Sequence, residues 1–575
     1  MSVRTIGFNY SKKYLLKSIF WVLAIFLGIL QTWANRYSVW MDVLSYLDIG
    51  DAYLRGDWNA AINACWSPLY SWLLGLALFA FKPSPYWELL VVKGVNFLIY
   101  LLTIVCFDFF LNELIRYYQK KIIQNTQNES LKVPQWVWIV LGYTLFIWAS
   151  VKWLVVYRDT PDMVVTALVY LAAGIVLRIY TSSPSWFNFI ALGMVLGFGY
   201  LSKSSMFPLA FVFLVTSLFS VGNLRRALPR VLVALLIFTI ISAPFIAALS
   251  LQKGRLTFGD AGKLNYAWYV SPQVPDLNWQ GLPPGSGIPK HPTRKIFNYP
   301  EAYEFSTPVN GTFPLWYDPS YWNEGLKPQL NLSKQVKCLA ANTSFCYKLF
   351  LGSLIFSYLI LVCISGSSSL ILKNLIGNWR LLIPAVAGLC GFMVLTYLPG
   401  ENQPWGFVQT RYIAPFIVLL FAGVFSSVHL PDSKKLKQLI LSLTIFALVI
   451  NGGILFYRAS KDLATIIETP EHIQWQIANS LSQVGIQPGE KVAILGQEEY
   501  YWARLAKVKI IASIPDVKDF WIANIVDRAE VLKTIEKTGA RAVVQRPGYM
   551  TIPDTSTVGW QEIGNTRCYF YLFKK

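Results

Sequence analysis

The sequence predicts an α-helical polytopic membrane protein with about 11 transmembrane helices and a C-terminal extracytoplasmic α/β domain. Three observations predict it. Of the 575 residues, 54% are hydrophobic and 14% charged, against about 25% charged in ordinary soluble proteins. Apolar runs of the roughly 20 residues needed to cross a bilayer recur through residues 1–460. Residues 461–575 then change to short β-rich runs separated by helical ones. This composition excludes a water-soluble enzyme of stacked domains.

Taken in order, the spans fall at 15–34, 87–111, 135–156, 163–180, 187–202, 206–221, 229–250, 349–372, 380–398, 412–429 and 438–457. The run 66–81 is short and opens with Ser67-Pro68, and it reads as an interfacial helix on the outer leaflet. With Lys12, Lys13 and Lys17 inside, every tight basic cluster then becomes cytoplasmic: Arg116/Lys120/Lys121, Arg178, Arg225/Arg226/Arg230, Lys373/Arg380 and Lys434/Lys435/Lys437. The N-terminus is thus expected in the cytoplasm, the C-terminal domain outside, and the protein in the plasma (inner) membrane. The first span has the basic start and apolar core of a signal peptide, but only the weak cleavage sequence Gln31-Thr32-Trp33-Ala34 follows, so an uncleaved anchor is expected.

Fifty Lys and Arg against 31 Asp and Glu give a net charge of +19. Topology accounts for most of it, and no nucleic-acid partner is expected. Of the seven Cys, only Cys338 and Cys346 lie close together in a polar stretch, where a disulfide and two free thiols are both open.

Three segments lie outside on this layout. The first loop, 35–86, holds Asp42, Asp48, Asp51 and Asp57 and an amphipathic helix over 43–54. The large loop, 251–348, is rich in Pro, Gly, Asn and aromatics, among them Tyr266, Trp268, Tyr269, Trp279, Trp316, Tyr317, Tyr321 and Trp322. Such rings serve either sugar binding or anchoring at the membrane interface. Asn310, Asn331 and Asn342 fit the glycosylation sequon. In the tail, Val492-Ala-Ile-Leu, Val508-Lys-Ile-Ile-Ala, Ala542-Val-Val-Gln and Tyr569-Phe-Tyr-Leu-Phe predict strands, and 471–483 and 527–538 predict helices, with a turn at 485–489. No phosphate-binding glycine fingerprint supports a nucleotide site.

Acidic residues at the ends of membrane spans are costly and so mark candidate chemistry. Asp42 follows the first span in Trp40-Met-Asp-Val-Leu-Ser-Tyr-Leu-Asp, which also supplies Tyr46. Arg158, Asp159 and Asp162 lie in Tyr157-Arg-Asp-Thr-Pro-Asp, although a helix opening at Pro161 would use Asp162 simply at its N-terminus. Lys203 closes the span ending Gly199-Tyr-Leu-Ser-Lys and breaks the charge rule, as a snorkelling lysine or as an anion ligand. Arg411 and Tyr412, after Pro404-Trp-Gly-Phe-Val-Gln-Thr, open another span, and guanidinium suits bidentate phosphate binding. Cations and carboxylates on one membrane face have a chemical reading. The cations hold a lipid-linked phosphate, and a carboxylate takes the proton of an acceptor hydroxyl.

Asp42 after the first span, Ser67-Pro-Leu-Tyr-Ser-Trp-Leu-Leu, Thr160-Pro-Asp, Gly199-Tyr-Leu-Ser-Lys and Arg411-Tyr-Ile-Ala-Pro-Phe together resemble the GT-C superfamily of membrane glycosyltransferases. The likeness is to its protein O-mannosyltransferase and aminoarabinose transferase branch, and it covers roughly residues 15–460. It implies an inverting glycosyltransferase using a polyprenyl-phosphate sugar donor, with Asp42 as general base and Lys203 and Arg411 near the donor phosphate. Tyr46, Arg158, Asp159, Asp162 and Tyr412 are the remaining expected substrate contacts. Lipid, protein and polysaccharide acceptors all stay open.

Many relatives carry an Asp-Glu pair in the first loop, whereas Val43 follows Asp42 here. No metal or other cofactor is therefore expected, although Asp42 with Asp159 or Asp162 leaves room for a shared divalent ion. The three His, at 291, 429 and 472, add no ligand set. The alternative function is a transporter or flippase of a lipid-linked or anionic substrate. Transporters place their polar residues near mid-span and repeat between halves, and neither feature is visible.

Overall fold

The computed structural model describes residues 3–124, 133–182, 184–271, 277–305, 309–365, 373–395, 408–427, 433–496, 500–545, 559–564 and 566–573. His429, the run 404–407 and the ends of three expected spans (366–372, 396–398 and 428–429) lie outside them.

Among the described residues, seven helices are long and apolar enough to cross a membrane, and five shorter apolar helices accompany them. In chain order the helices are α1 (Val3–Ala34), α2 (Asp42–Arg55), α3 (Pro68–Phe81), α4 (Glu88–Gln124), α5 (Gln135–Trp148), α6 (Asp162–Thr181), α7 (Trp186–Ser202), α8 (Met206–Ser220) and α9 (Leu224–Lys253). They continue with α10 (Leu332–Cys346), α11 (Gly352–Ser365), α12 (Trp379–Val394), α13 (Thr410–Phe425) and α14 (Lys434–Ile467). Each of the 11 expected spans coincides with one of them, the seven long helices and four of the shorter ones, with α3 left over. At 1.5 Å per residue the 14 residues of α3 reach only about 21 Å, short of the hydrocarbon thickness.

Two local features set the geometry at the helix ends. The expected amphipathic segment forms α2, which stops at Gly56 in the left-handed region, φ 72°. It crosses α3 at Gly50 and Gly75, where a Cβ on Gly50 would lie 2.8 Å from the Ser71 carbonyl oxygen. Only glycine permits that approach. Beyond α5 the chain widens into a π turn at Ala149–Leu154 and reverses at Val155, φ 65°, a conformation that β-branched residues rarely adopt. The bend delivers 157–162 to the same end of the bundle as Asp42.

The tail contains the four expected strands, β3 (Lys491–Leu495), β4 (Lys509–Ile514), β5 (Ala542–Gln545) and β7 (Tyr569–Leu572), together with the short β6 (Trp560–Glu562). Two further strands come from the large loop, β1 (Arg294–Asn298) and β2 (Glu301–Glu304). One seven-stranded sheet results, ordered β1-β2-β4-β3-β5-β7-β6. Its β4-β3-β5 centre is parallel and both flanks are antiparallel. Leu44 and Ile49 of α2, Phe305, Phe313 and Trp322 of the large loop, and Ile494 and Trp502 of the tail share one core. The three segments flanking the bundle thus fold as one body.

Several loop expectations change. Trp279, Tyr317 and Trp322 are buried, so they are neither a sugar platform nor a membrane anchor. They are apolar volume that packs the loop together and against α2 and the tail. Helix α10 begins at Leu332, well before the expected span 349–372, because Asn331 accepts a hydrogen bond from the Lys334 amide and caps it. Cys338 and Cys346 stand on this one helix, about 12 Å apart along its axis. That separation rules out a disulfide between them, and both thiols are free and buried. The Asn342 amide is interior, bonded to the Met393 carbonyl and the Val408 amide, which removes it as a glycosylation site.

Candidate active site at the membrane face bearing the tail

Four helix ends converge on the face that carries the tail. Asp42 opens α2, Asp162 opens α6, Lys203 follows the last residue of α7, and Arg411 is the second residue of α13. Lys203 Nζ donates to Asp162 Oδ1 at 2.6 Å, and Thr160 Oγ1 donates to Asp162 Oδ2 at 2.8 Å. Both Asp162 oxygens are thus engaged by side chains, Lys203 and Thr160, at the head of α6. Lys203 does not snorkel outward, because its ammonium sits 3.7 Å from the centroid of the Tyr412 ring.

Arg411 lies between the two carboxylates. Its Nε is 3.5 Å from Asp162 Oδ2, and its Nη2 is 3.8 Å from Asp42 Oδ2 and donates to the Tyr412 hydroxyl at 3.0 Å. Its side chain is 6% exposed, yet Nε and Nη1 have no hydrogen-bond partner among the described residues. Buried guanidinium nitrogens without acceptors are costly, and an anion within reach removes the cost.

Trp40, two residues before the start of α2, supports two guanidiniums. Arg158 lies 4.6 Å and Arg411 5.3 Å from its ring centroid. Arg158 has no ion-pair partner among the described residues, and its pKa is lowered by burial first and by Arg411 next. Three cations (Arg158, Lys203 and Arg411) therefore face two carboxylates, leaving one positive charge unmatched. The Asp42 carboxyl is pushed above the usual carboxylate range by burial, with Arg411 opposing the shift. Tyr46, on the next turn of α2, packs edge-on against Trp66 and Tyr70. Burial raises its phenol well above normal, and Asp42 and Asp162 raise it further.

Asp159 stands apart. Both of its oxygens accept from Lys93 Nζ, at 2.8 and 2.7 Å, and Asn96 adds a third hydrogen bond at 3.0 Å. Both side chains of the Lys93–Asp159 pair are 1% exposed. The expected substrate contact at Asp159 is thus a closed internal site, where the Trp40 backbone amide of the first loop joins Lys93 and Asn96 in hydrogen bonding to the carboxylate. Lys93 was legible only as a lone cation six residues into an apolar run. Trp40 and Lys93 are the parts that sequence reasoning passes over. Among the described residues no group of three His, Cys, Asp or Glu side chains is placed to hold a metal ion. His291 instead stacks on Tyr321, with centroids 4.1 Å apart.

A second cluster joins the bundle to the tail. Arg504 bonds Asp48 at 2.8 Å, Asp51 at 2.7 Å and Glu88 at 2.8 Å, and Tyr501 donates to Glu88 at 2.6 Å. Asp48 also receives the Thr312 amide of the large loop at 2.7 Å.

Fold and site together define an integral membrane protein with a buried, partly unsatisfied charge cluster at the ends of four helices. No protein-family model matches the chain, and no curated protein does. Among solved structures it is similar to ArnT from Cupriavidus metallidurans in the apo state, with 11% identity, 96% of this chain and 97% of that one covered, and TM-score 0.47. It is also similar to the Archaeoglobus fulgidus oligosaccharyltransferase tethered with an acceptor peptide, with 12% identity, 93% and 69% covered, and TM-score 0.46.

Proposed function

We propose that the protein is an inverting glycosyltransferase of the GT-C kind, moving a sugar from a polyprenyl-phosphate donor to an acceptor hydroxyl on the outer membrane face. One observation carries the reading: Arg411, buried between Asp42 and Asp162, with two nitrogens that find no acceptor among the described residues. The phosphodiester of the donor brings one negative charge, which balances the single unmatched positive charge of the cluster.

In this reading Arg411, Lys203 and Arg158 hold the phosphate, while Asp162 positions Lys203 and Arg411. Asp42 Oδ takes the proton of the acceptor hydroxyl as its oxygen attacks C1 of the sugar from the face opposite the phosphate. The C1–O bond to phosphate breaks, its electron pair leaves with the lipid phosphate, and the three cations stabilise the extra charge. The raised pKa of Asp42 makes it a stronger base than a solvated carboxylate. Tyr46 and Tyr412 flank the sugar. The basic clusters orient the chain with its N-terminus in the cytoplasm and its tail outside.

The test uses purified protein in detergent with a panel of radiolabelled undecaprenyl-phosphate sugars, following release of undecaprenyl phosphate with retention of label in an acceptor fraction. Sugar transfer that depends on Asp42 supports the reading. Uptake of intact donor into proteoliposomes without transfer, the transporter outcome, overturns it.

A further inference from the structure

A cavity of about 510 Å³ opens where α2, the large loop and the tail meet, on a different stretch of α2 from Asp42. Asp48, Asp51 and Arg55 line it from one face of α2, at spacings of three and four residues. The large loop contributes Thr312, whose carbonyl accepts from Ile510 of β4 at 2.9 Å and fixes the loop against the tail.

Its charges are divided unequally. The three carboxylates of the wall, Asp48, Asp51 and Glu88, are all bonded to Arg504. Arg55, Lys507 and Lys509 line the same space, and among the described residues none of them has a carboxylate within ion-pair distance. Lys509 is pressed further by Lys491, its register partner on β3, and burial followed by Lys491 lowers its pKa. Counting Arg504, four cations line the cleft against three carboxylates, and because all three carboxylates are turned to Arg504 the one net positive charge falls on the side of Arg55, Lys507 and Lys509. The volume exceeds what a lone oxyanion needs and falls in the range of small-molecule sites.

We propose that this cavity binds a small polar ligand bearing a phosphate or carboxylate, held by Arg55, Lys507 and Lys509 in a site separate from the Asp42 cluster. Its occupant bridges the first loop and the tail and so tightens the joint that Arg504 makes. The proposal stands whether or not the Asp42 cluster transfers sugar.

The experiment uses the full chain in detergent carrying Arg411→Gln, which removes the other anion site. Thermal stability is followed against glucose 1-phosphate, glucuronate, inorganic phosphate and glucose at constant ionic strength. The expected result is saturable stabilisation by the anions and none by glucose. Adding Lys507→Gln, at an exposed side chain whose loss spares the core, weakens the apparent affinity at least about tenfold. Arg55→Gln does the same independently. Tighter binding of the sugar anions assigns the site to a glycan, and equal binding assigns it to free phosphate. Absence of saturable stabilisation in the Arg411→Gln protein, or affinities unchanged in both further variants, overturns the proposal.

Discussion

Arg411 Nη2 stands 3.8 Å from Asp42 Oδ2, within ion-pair reach but beyond hydrogen-bonding distance. The looseness matters chemically. A tight pair would hold the carboxylate as a poor base and the guanidinium as a satisfied donor. At this spacing both remain available, Asp42 to a hydroxyl and Arg411 to a phosphate oxygen.

Asp42→Asn keeps the shape of the side chain and removes the base. Transfer should fall about 10²- to 10⁴-fold, while undecaprenyl phosphate binding, measured by native mass spectrometry, stays within a few-fold of wild type. Wild-type activity in this variant would remove Asp42 from the mechanism.

Arg411→Lys conserves charge but not the planar fork. Loss of one or more charge-assisted hydrogen bonds should weaken undecaprenyl phosphate binding about 10- to 100-fold. If lysine serves as well as arginine, the site reads point charge alone.

Lys93 and Asp159 form a buried pair, so removing one partner strands the other. Lys93→Met should destabilise by about 3–5 kcal/mol, and Asp159→Leu likewise. The double variant should regain most of that, because two apolar side chains replace two charges together. Recovery of folding with retained donor binding, read by thermal denaturation and mass spectrometry, separates a structural Asp159 from a substrate contact.

Arg504 bonds three carboxylates with its side chain 11% exposed. Arg504→Ala should cost about 3–5 kcal/mol at the joint between bundle and tail. The expected signature is protease cleavage near 468–472 with the helical bundle still folded. Unchanged proteolysis would show that the shared apolar core alone holds the tail.

His472 stacks on Tyr37 with centroids 4.5 Å apart and approaches Tyr86 at 5.5 Å. Burial pushes its pKa down from 6.5 to about 4. The folded state therefore favours the neutral ring, and its stabilising contribution is present above pH 6.5 and lost as pH falls toward 4. His472→Phe should flatten the acid limb of the thermal stability curve between those values. An unchanged limb would place the acid sensitivity elsewhere.

Hydropathy and charge placement made the bundle legible, since crossing a bilayer imposes length and apolarity on each helix separately. The tail strands were legible for a similar local reason, as short β-branched runs between turns. The hairpin β1–β2 was not. Arg294–Asn298 carries little apolar signal, and the pair becomes strand only because β4 offers an unpaired edge. Nor was the burial of Trp279, Tyr317 and Trp322 in the large loop legible, because composition reports a ring but not whether it faces water.

For the charged residues the division is similar. The sequence by itself determined which residues stand at the ends of apolar spans, because a charge inside hydrocarbon is expensive and so marks a boundary. That placed Asp42, Asp162, Lys203 and Arg411 on one face. Only the tertiary structure decided how they pair. Asp159 and Asp162 are three residues apart, yet Lys93 closes over one of them while Lys203 and Arg411 meet the other. Electrostatic partnership depends on distance in space, and helices far apart in sequence supply the partners.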